Sequence, residues 1–339
     1  MAKKSIEDII RELHKAADAV APSLRDSFLA TVKEIRDNLF SMKAVELAMS
    51  LQNISGAISA SGIDAMDDLL FGVGLNNTSY VLSTQMQNAF IAGAFAAIRN
   101  LDASKQKQVA FNALNERAVA SMRNRGTQTI SGISIVSRQA VKDSLTRSML
   151  DNLTPRKAAK ELRQMIGLTP DQMQAVTNFR RQLETKQILG FTPPYDRRLN
   201  AAEQAMIRRH MKVGHFTTAN IDAIVERYYQ SLVNKRAMDI ARTESMSAVS
   251  AGQDELWEQS LDLGVLDDNI HRKFWITTPD DRLRVTHKAI PNMNPYGVKI
   301  RAKFITPFGP VSSPGDANSG LINCRCAIIL GEIGQSFIY

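Results

Sequence analysis

Three short runs toward the C-terminal end carry most of the side chains that could do chemistry. Arg242-Thr243-Glu244 is the first. About thirty residues on comes Trp275-Ile276-Thr277-Thr278-Pro279-Asp280-Asp281-Arg282-Leu283-Arg284-Val285-Thr286-His287, and Asn323-Cys324-Arg325-Cys326 closes the set. Opposite charges at this density suit ion pairing. Arg282 or Arg284 bridging to Glu244 or Asp280 would pin the second run to the first, with Trp275 filling the core between them. On a helix, Asp281, Arg284 and His287 recur every three residues and fall near one face. The same cluster could present His287 as a general base, as in a nuclease. It could also hold a metal. Cysteines two apart on a strand project to one face and Arg325 to the other. With His287 they offer three zinc ligands, and Asp280, Asp281 or His271 offers a fourth. Cys-x-Cys with one distant histidine is a sparser pattern than paired Cys-x-x-Cys. Buried thiols without a metal or other cofactor are therefore the reading adopted, and zinc at His287, Cys324 and Cys326 is the alternative. A disulfide between such near neighbours would be strained.

Catalytic patterns are otherwise lacking. No Gly-x-Ser-x-Gly, phosphate-binding loop or His-Glu-x-x-His occurs. Arg242 has no Glu-x-Glu downstream to complete an ADP-ribosyltransferase pattern, and His14, His210, His215 and His271 are scattered. The expectation is a structural network and no enzyme.

A second kind of chemistry is phosphate neutralisation. Residues 121–252 hold 21 basic and 11 acidic side chains, whereas residues 1–120 and 253–339 are each near net −1. The whole net charge of +8 therefore lies in the middle of the chain. Candidate contacts to DNA are Arg156, Lys157, Lys160 and Arg163, the pairs Arg180-Arg181 and Arg197-Arg198, and Arg208, Arg209 and Lys212. Arg123, Arg125 and Lys235-Arg236 add to the same enrichment. Such groups on helices can follow a phosphate backbone without reading bases. No zinc-finger spacing or RNP motif appears, so any DNA contact is expected to be non-specific.

The elements that must position these residues are mainly helical. Ile9, Ile10, Leu13, Ala17, Val20, Ala21 and Leu24 recur at spacings of three and four, and Phe28, Val32 and Ile35 continue the rhythm past Pro22. A long Ala- and Phe-rich helix runs from about Thr84 through Ala97. Gly126 to Ser137 is β-branched and glycine-containing, which suits an arm, hairpin or loop, and a helix follows from Ser137. Thr154-Pro155 and Thr169-Pro170 each open a helix, the second to about Lys186. Further helices are expected from about Asn200 to Val213 and from Thr218 to Leu261. After Gly264 the texture changes. Phe274 to Thr278 reads as a strand, Pro279-Asp280-Asp281 as a turn, and Arg282 to Lys288 as a short helix. Val298 to Ile300, Lys303 to Ile305 and Leu321 to Leu330 are candidate strands. The fold class is mainly α, with a small C-terminal α+β module. Three stretches follow: a helical N-terminal region at 1–120, a basic helical region at 121–262, and the module at 263–339.

The 339 residues are 44% apolar and 22% charged, a balance that excludes wholesale disorder and low-complexity character. Cys324 and Cys326 are the only cysteines, so no disulfide framework holds the fold. Lys3-Lys4 run at once into charged residues without the apolar core of a signal peptide. The longest apolar run, Ala89 to Ile98, has about half the ~20 residues that a membrane span requires. The expected product has no stable membrane span and is made in a reducing cytoplasm.

Taken in order, the three runs, with Phe304, Gly309 and Pro314-Gly315-Asp316 between them, resemble the phage head-morphogenesis family, the Mu F-like minor head proteins. The resemblance covers about residues 236–330. The family pattern is an Ala-Arg-Thr-Glu helix, then Trp-x-Thr-Thr-x-Asp-Asp-Arg-x-Arg-x-x-His, Pro-Gly-Asp and Asn-Cys-Arg-Cys. Members commonly place an acidic residue and a glycine soon after the histidine, where this chain has Lys288-Ala289-Ile290-Pro291-Asn292. The resemblance implies a minor structural protein of a tailed-phage head, present in few copies in the capsid interior near the portal. It further implies a role in head assembly and in DNA packaging or ejection. Expected partners are the portal protein, inner capsid or scaffold proteins, and packaged double-stranded DNA. The expected location is the virion, after assembly in the host cytoplasm. The alternative is an effector ejected with the DNA, acting as a nuclease, a transferase or at a membrane.

Overall fold

The computed structural model describes residues 5–38, 75–121, 164–185, 217–278, 283–315, 324–335 and 337. Among these the chain is mainly helical, with one small antiparallel sheet near the C-terminus. In chain order the elements are α1 (Ile6–Asn38), α2 (Leu75–Arg99), α3 (Ala103–Gln106), α4 (Pro170–Thr185), α5 (Thr218–Asp262), β1 (His271–Ile276), α6 (Val285–Lys288), α7 (Ile290–Met293) and β2 (Ala327–Glu332). The stretch 126–137, the helices expected to open at Ser137 and Thr154, the helix from Asn200 to Val213 and the turn at Pro279-Asp280-Asp281 lie outside the described residues.

Packing divides the chain into two units: Met1–Asp26 with Ser79–Thr129 and Met238–Tyr339, and Ser27–Thr78 with Ile130–Ala237. This division cuts across the one drawn from charge. Residues 263–339 share a unit with parts of α1, α2 and α5.

In the first unit, α1 begins with a cap. The Ser5 hydroxyl accepts the Asp8 backbone N–H at 3.1 Å and donates to the Asp8 carboxylate at 2.8 Å. Glu7 and Asp8 also place negative charge on the positive end of the helix. Leu13, Ala17, Ala21 and Leu24 are buried along the expected face. The packing of α2 on α5 depends on small residues. A Cβ added to Gly93 would lie 2.0 Å from the Val249 carbonyl oxygen, and one on Gly252 would lie 1.9 Å from that of Phe90. Ala89, Ala96, Ala248 and Val249 are buried around this contact.

Strand β1 pairs antiparallel with β2 in the register His271↔Glu332 to Ile276↔Ala327. β1 begins three residues before the expected Phe274. The sheet covers the end of α5: Trp275, Ile328, Leu256 and Trp257 form one core with Phe304, Ile290, Ile300 and Val311. Trp275 meets Phe304 edge-on with ring centroids 5.4 Å apart.

Several expected elements take another form. Val298 to Ile300 makes a single bridge, Val298 exchanging two backbone bonds of 2.9 Å with Lys273. Phe304 likewise makes one bridge to Val311. Past the first bridge, Ile300 gives its N–H to the Asp268 carboxylate at 3.0 Å and not to a strand. The helix expected over Arg282 to Lys288 starts only at Val285. Arg284 is extended (φ −71°, ψ 145°), and its carbonyl accepts the N–H groups of His287 and Lys288 at 3.0 Å. That is the geometry of a helix cap, so Arg284 is off the helical face assigned to it. Pro291 then has no N–H to give to the His287 carbonyl, and the helix breaks between α6 and α7. The last strand begins at Ala327, not near Leu321; residues 316–323 are outside those described.

In the second unit, α4 opens with a reciprocal capping box. Thr169 Oγ1 accepts the Gln172 N–H at 3.3 Å, and Gln172 Oε1 accepts the Thr169 N–H at 3.0 Å. Phe179 on α4 packs on Tyr228 of α5 with centroids 4.7 Å apart, and the Tyr229 hydroxyl donates to the Ile166 carbonyl at 2.7 Å.

Candidate functional site

The first unit contains a cavity of about 530 Å³ whose walls come from four parts of the chain. α1 gives His14, Ala17 and Asp18. α5 gives Arg242, Ser245 and Met246. The segment around α6 gives Thr278, Leu283, Arg284 and His287, and the residues before β2 give Cys324, Arg325 and Cys326. The short α6 aims His287 inward and leaves it 2% exposed. Its ring stands edge-on to Phe308, centroids 6.0 Å apart. The Nδ1 nitrogen lies 3.5 Å from Cys324 Sγ and 3.9 Å from Cys326 Sγ. The Nε2 nitrogen is buried without a hydrogen-bond partner among the described residues.

The two cysteines are not on a strand. Their segment commits backbone groups to side chains, which keeps it out of the ladder. The Cys326 N–H donates to Cys324 Sγ at 3.2 Å. The Arg325 carbonyl accepts Thr278 Oγ1 at 2.7 Å and a ring N–H of His14 at 3.0 Å. Both sulfurs nevertheless reach the same imidazole nitrogen, and Arg325 lines the same cavity. Both cysteines are free thiols.

The electrostatics are asymmetric. The Cys326 thiol donating to Cys324, with His287 beside it, holds Cys324 well below the ordinary thiol range, at about 5, against the opposing pull of burial. The same hydrogen bond, reinforced by burial, pushes Cys326 up. The two sulfurs are thus pushed in opposite directions, and Cys324 is the one whose ionisation is favoured. Arg242, Arg284 and Arg325 stand exposed on the same cavity, with Asp18 the acid opposite. This arrangement can stabilise a thiolate, ligate a soft cation or attract an anion.

The structure therefore gathers Arg242, Arg284, His287, Cys324, Arg325 and Cys326 at one place. Trp275 lies in the core behind them, 2% exposed, and Glu244 is half-buried on α5. Asp280, Asp281, Arg282, Asp316 and Asn323 lie outside the described residues. His271, weighed as a fourth metal ligand, is not part of this group among the described residues. Its Nδ1 instead accepts the Asp267 N–H at 3.0 Å. Gly315 of the Pro-Gly-Asp run has a structural task. Its φ is +86°, and a Cβ there would lie 2.7 Å from that of Ser247 on α5.

Two features escaped the sequence. His14 and Asp18, one helical turn apart, wall the cavity from the other end of the chain. A link between the C-terminal sheet and α5 also comes from residues outside the motif. Lys273, 1% exposed by side chain, places Nζ 2.9 Å from both carboxylate oxygens of Asp254 and 3.1 Å from the Ser312 carbonyl. The only prior signal was a lysine inside an apolar strand run.

Of the candidate DNA contacts, Arg180 and Arg181 are described, and they differ. Arg180 turns inward to Asp222 (3.0 Å) and Gln164 (3.1 Å), while Arg181 is exposed. Lys235 and Arg236 divide the same way. Lys235 is exposed, whereas Arg236 lies 5.9 Å over the Phe28 ring, where burial lowers its pKa to about 10. Arg156, Lys157, Lys160, Arg163, Arg197, Arg198, Arg208, Arg209 and Lys212 lie outside the described residues. Among the described residues, no helix is long and apolar enough to cross a membrane. Comparison with protein-family models, curated proteins and solved structures finds no match.

Proposed function

We propose that this chain is a minor structural protein of a tailed-phage head, held in the capsid interior near the portal, where it aids assembly and DNA packaging or ejection. One observation carries the reading. Arg242, Arg284, His287, Cys324, Arg325 and Cys326, drawn from all three runs that resemble the Mu F-like pattern, line one cavity within one packed unit. That is what an ordered motif series needs if it marks a single module. Gly315 and Trp275 have packing reasons to belong to the series, since one fits against α5 and the other fills the core on it. The module serves as a docking element for the portal or inner capsid, and the basic middle segment meets packaged DNA without sequence preference. The effector alternative draws on the same cavity, which brings two thiols, an imidazole and arginines together.

The test is location. In purified heads from a phage that encodes the chain, a tagged full-length copy should be protease-protected, present in few copies and confined to one vertex by electron microscopy. Absence from both assembling and mature heads would sink the proposal. Presence in the mature head followed by recovery in the infected cell, with an activity that His287→Ala abolishes, would favour the effector.

A further inference from the structure

We propose that His287 Nδ1, Cys324 Sγ and Cys326 Sγ are three ligands of a zinc ion whose fourth position opens into the cavity. The three atoms all lie within 4.8 Å of one another. A tetrahedral zinc with Zn–S of about 2.3 Å and Zn–N of about 2.0–2.1 Å sets its ligands roughly 3.5–3.8 Å apart. The observed 3.5 and 3.9 Å from the imidazole nitrogen to the two sulfurs lie within a few tenths of an ångström of that edge. The donor set is soft: two sulfurs and an imidazole select zinc over magnesium or calcium, which take oxygen ligands. The Cys326 backbone N–H aimed at Cys324 Sγ stabilises negative charge on sulfur, as a thiolate ligand requires.

A nucleophilic Cys–His pair is the competing use of these atoms, and it needs one sulfur only. Here a second, buried sulfur approaches the same nitrogen, which a dyad leaves without a task and a metal site employs. Burial fits as well, because His287 and Cys326 are each 2% exposed and hold the ligand atoms away from bulk water. Binding is ligand exchange with no oxidant. Zinc bonds form to both sulfurs and to the nitrogen, and whatever thiol protons the two cysteines carry leave to solvent. With three protein ligands and a cavity on the fourth side, the site is of the open kind, able to accept water or a carboxylate of a docked partner. The proposal stands apart from the head-protein reading, since a metal count is blind to where the chain resides.

The experiment uses the full-length reduced protein, stripped with a chelator and then titrated with zinc or cobalt(II). The expected result is one zinc per chain by elemental analysis, with a dissociation constant below micromolar. Cobalt should give a thiolate-to-metal charge-transfer band. Cys324 and Cys326 are the only cysteines, so thiol alkylation reads this site without background, and zinc should protect both. Cys324→Ser, Cys326→Ser and His287→Ala should each weaken zinc by more than the roughly 10–100-fold that losing an outer partner costs. Zinc binding that survives both cysteine substitutions overturns the assignment, as does a parent protein with no zinc at micromolar concentration. Should the variants fail to fold, the cobalt spectrum of the parent decides alone, and absence of the charge-transfer band overturns the site.

Discussion

Lys273 places an ammonium group in a strand whose neighbours Phe274 and Trp275 are core residues, and Asp254 makes that position tenable. Removing one partner strands the other charge. Lys273→Met should cost about 3–5 kcal/mol in urea unfolding of the full chain, the usual penalty for breaking a buried pair. Adding Asp254→Leu should recover most of that loss, because two apolar side chains leave no uncompensated charge. A double variant no more stable than the single one would show that the pair does not carry the link. The pH dependence of the second unit rests on another carboxylate. Burial raises the pKa of Glu226, but hydrogen bonds from Gln230 and Arg36, each 2.8 Å, outweigh it and hold the group below its ordinary 4.5. A carboxylate with a lowered folded pKa adds stability above the unfolded value and loses it as pH falls through the folded one. Glu226→Gln should therefore melt below the parent at pH 7 and converge with it as pH drops below about 4. Thermal melts across that range check the sign, and a gap that widens on acidification would refute the assignment.

Helices α2 and α5 meet where each offers a glycine to the other's backbone. Carbonyl oxygens cannot move aside as a side-chain tip can, so a methyl group must separate the helices. Gly93→Ala and Gly252→Ala should each destabilise by about 1–3 kcal/mol, while Ala92→Gly, off this contact, should cost no more than a helical glycine does, about 1 kcal/mol. Matched unfolding curves of the three variants test this, and equal losses would mean that the close approach is not limiting. The helices themselves were legible in the sequence, because a 3.6-residue period and a Thr-Pro start are local signals. What was not legible is where backbone groups find partners elsewhere. Arg284 leaves the helix because its carbonyl caps α6, and the Cys324–Cys326 segment leaves the strand because His14 and Thr278 take the Arg325 carbonyl. The site shows the same split. Cys-x-Cys and His287 could be named from sequence, but their distance is a long-range property. His14 and Asp18 carried no sign of a tie to residue 325. Nothing in the sequence tied Lys273 to Asp254, nineteen residues earlier.

At the scale of the molecule, a net charge of +8 concentrated in one segment suggested a surface for DNA, and the structure refines which charges can serve. In both described basic pairs one member is turned inward: Arg180 to Asp222, and Arg236 over Phe28. Arg181 and Lys235 are the members left to solvent. Counterion release ties each phosphate contact to a change of about 0.9 in the slope of log affinity against log salt. Full-length protein should bind duplex DNA of unrelated sequences alike, with an affinity that falls steeply with salt. Arg181→Ala and Lys235→Ala should each weaken binding uniformly across sequences and flatten the slope by about one contact's worth. Arg180→Ala should leave the slope unchanged and instead lower stability, because Asp222 and the buried Gln164 lose a charged hydrogen-bond partner worth about 1.5–3 kcal/mol. The contrast between adjacent residues 180 and 181 isolates phosphate contact from folding, since both substitutions remove one positive charge from the same turn of α4. Equal slopes in all three variants and the parent would place the DNA-facing surface elsewhere, and binding insensitive to salt would dismiss phosphate contact altogether.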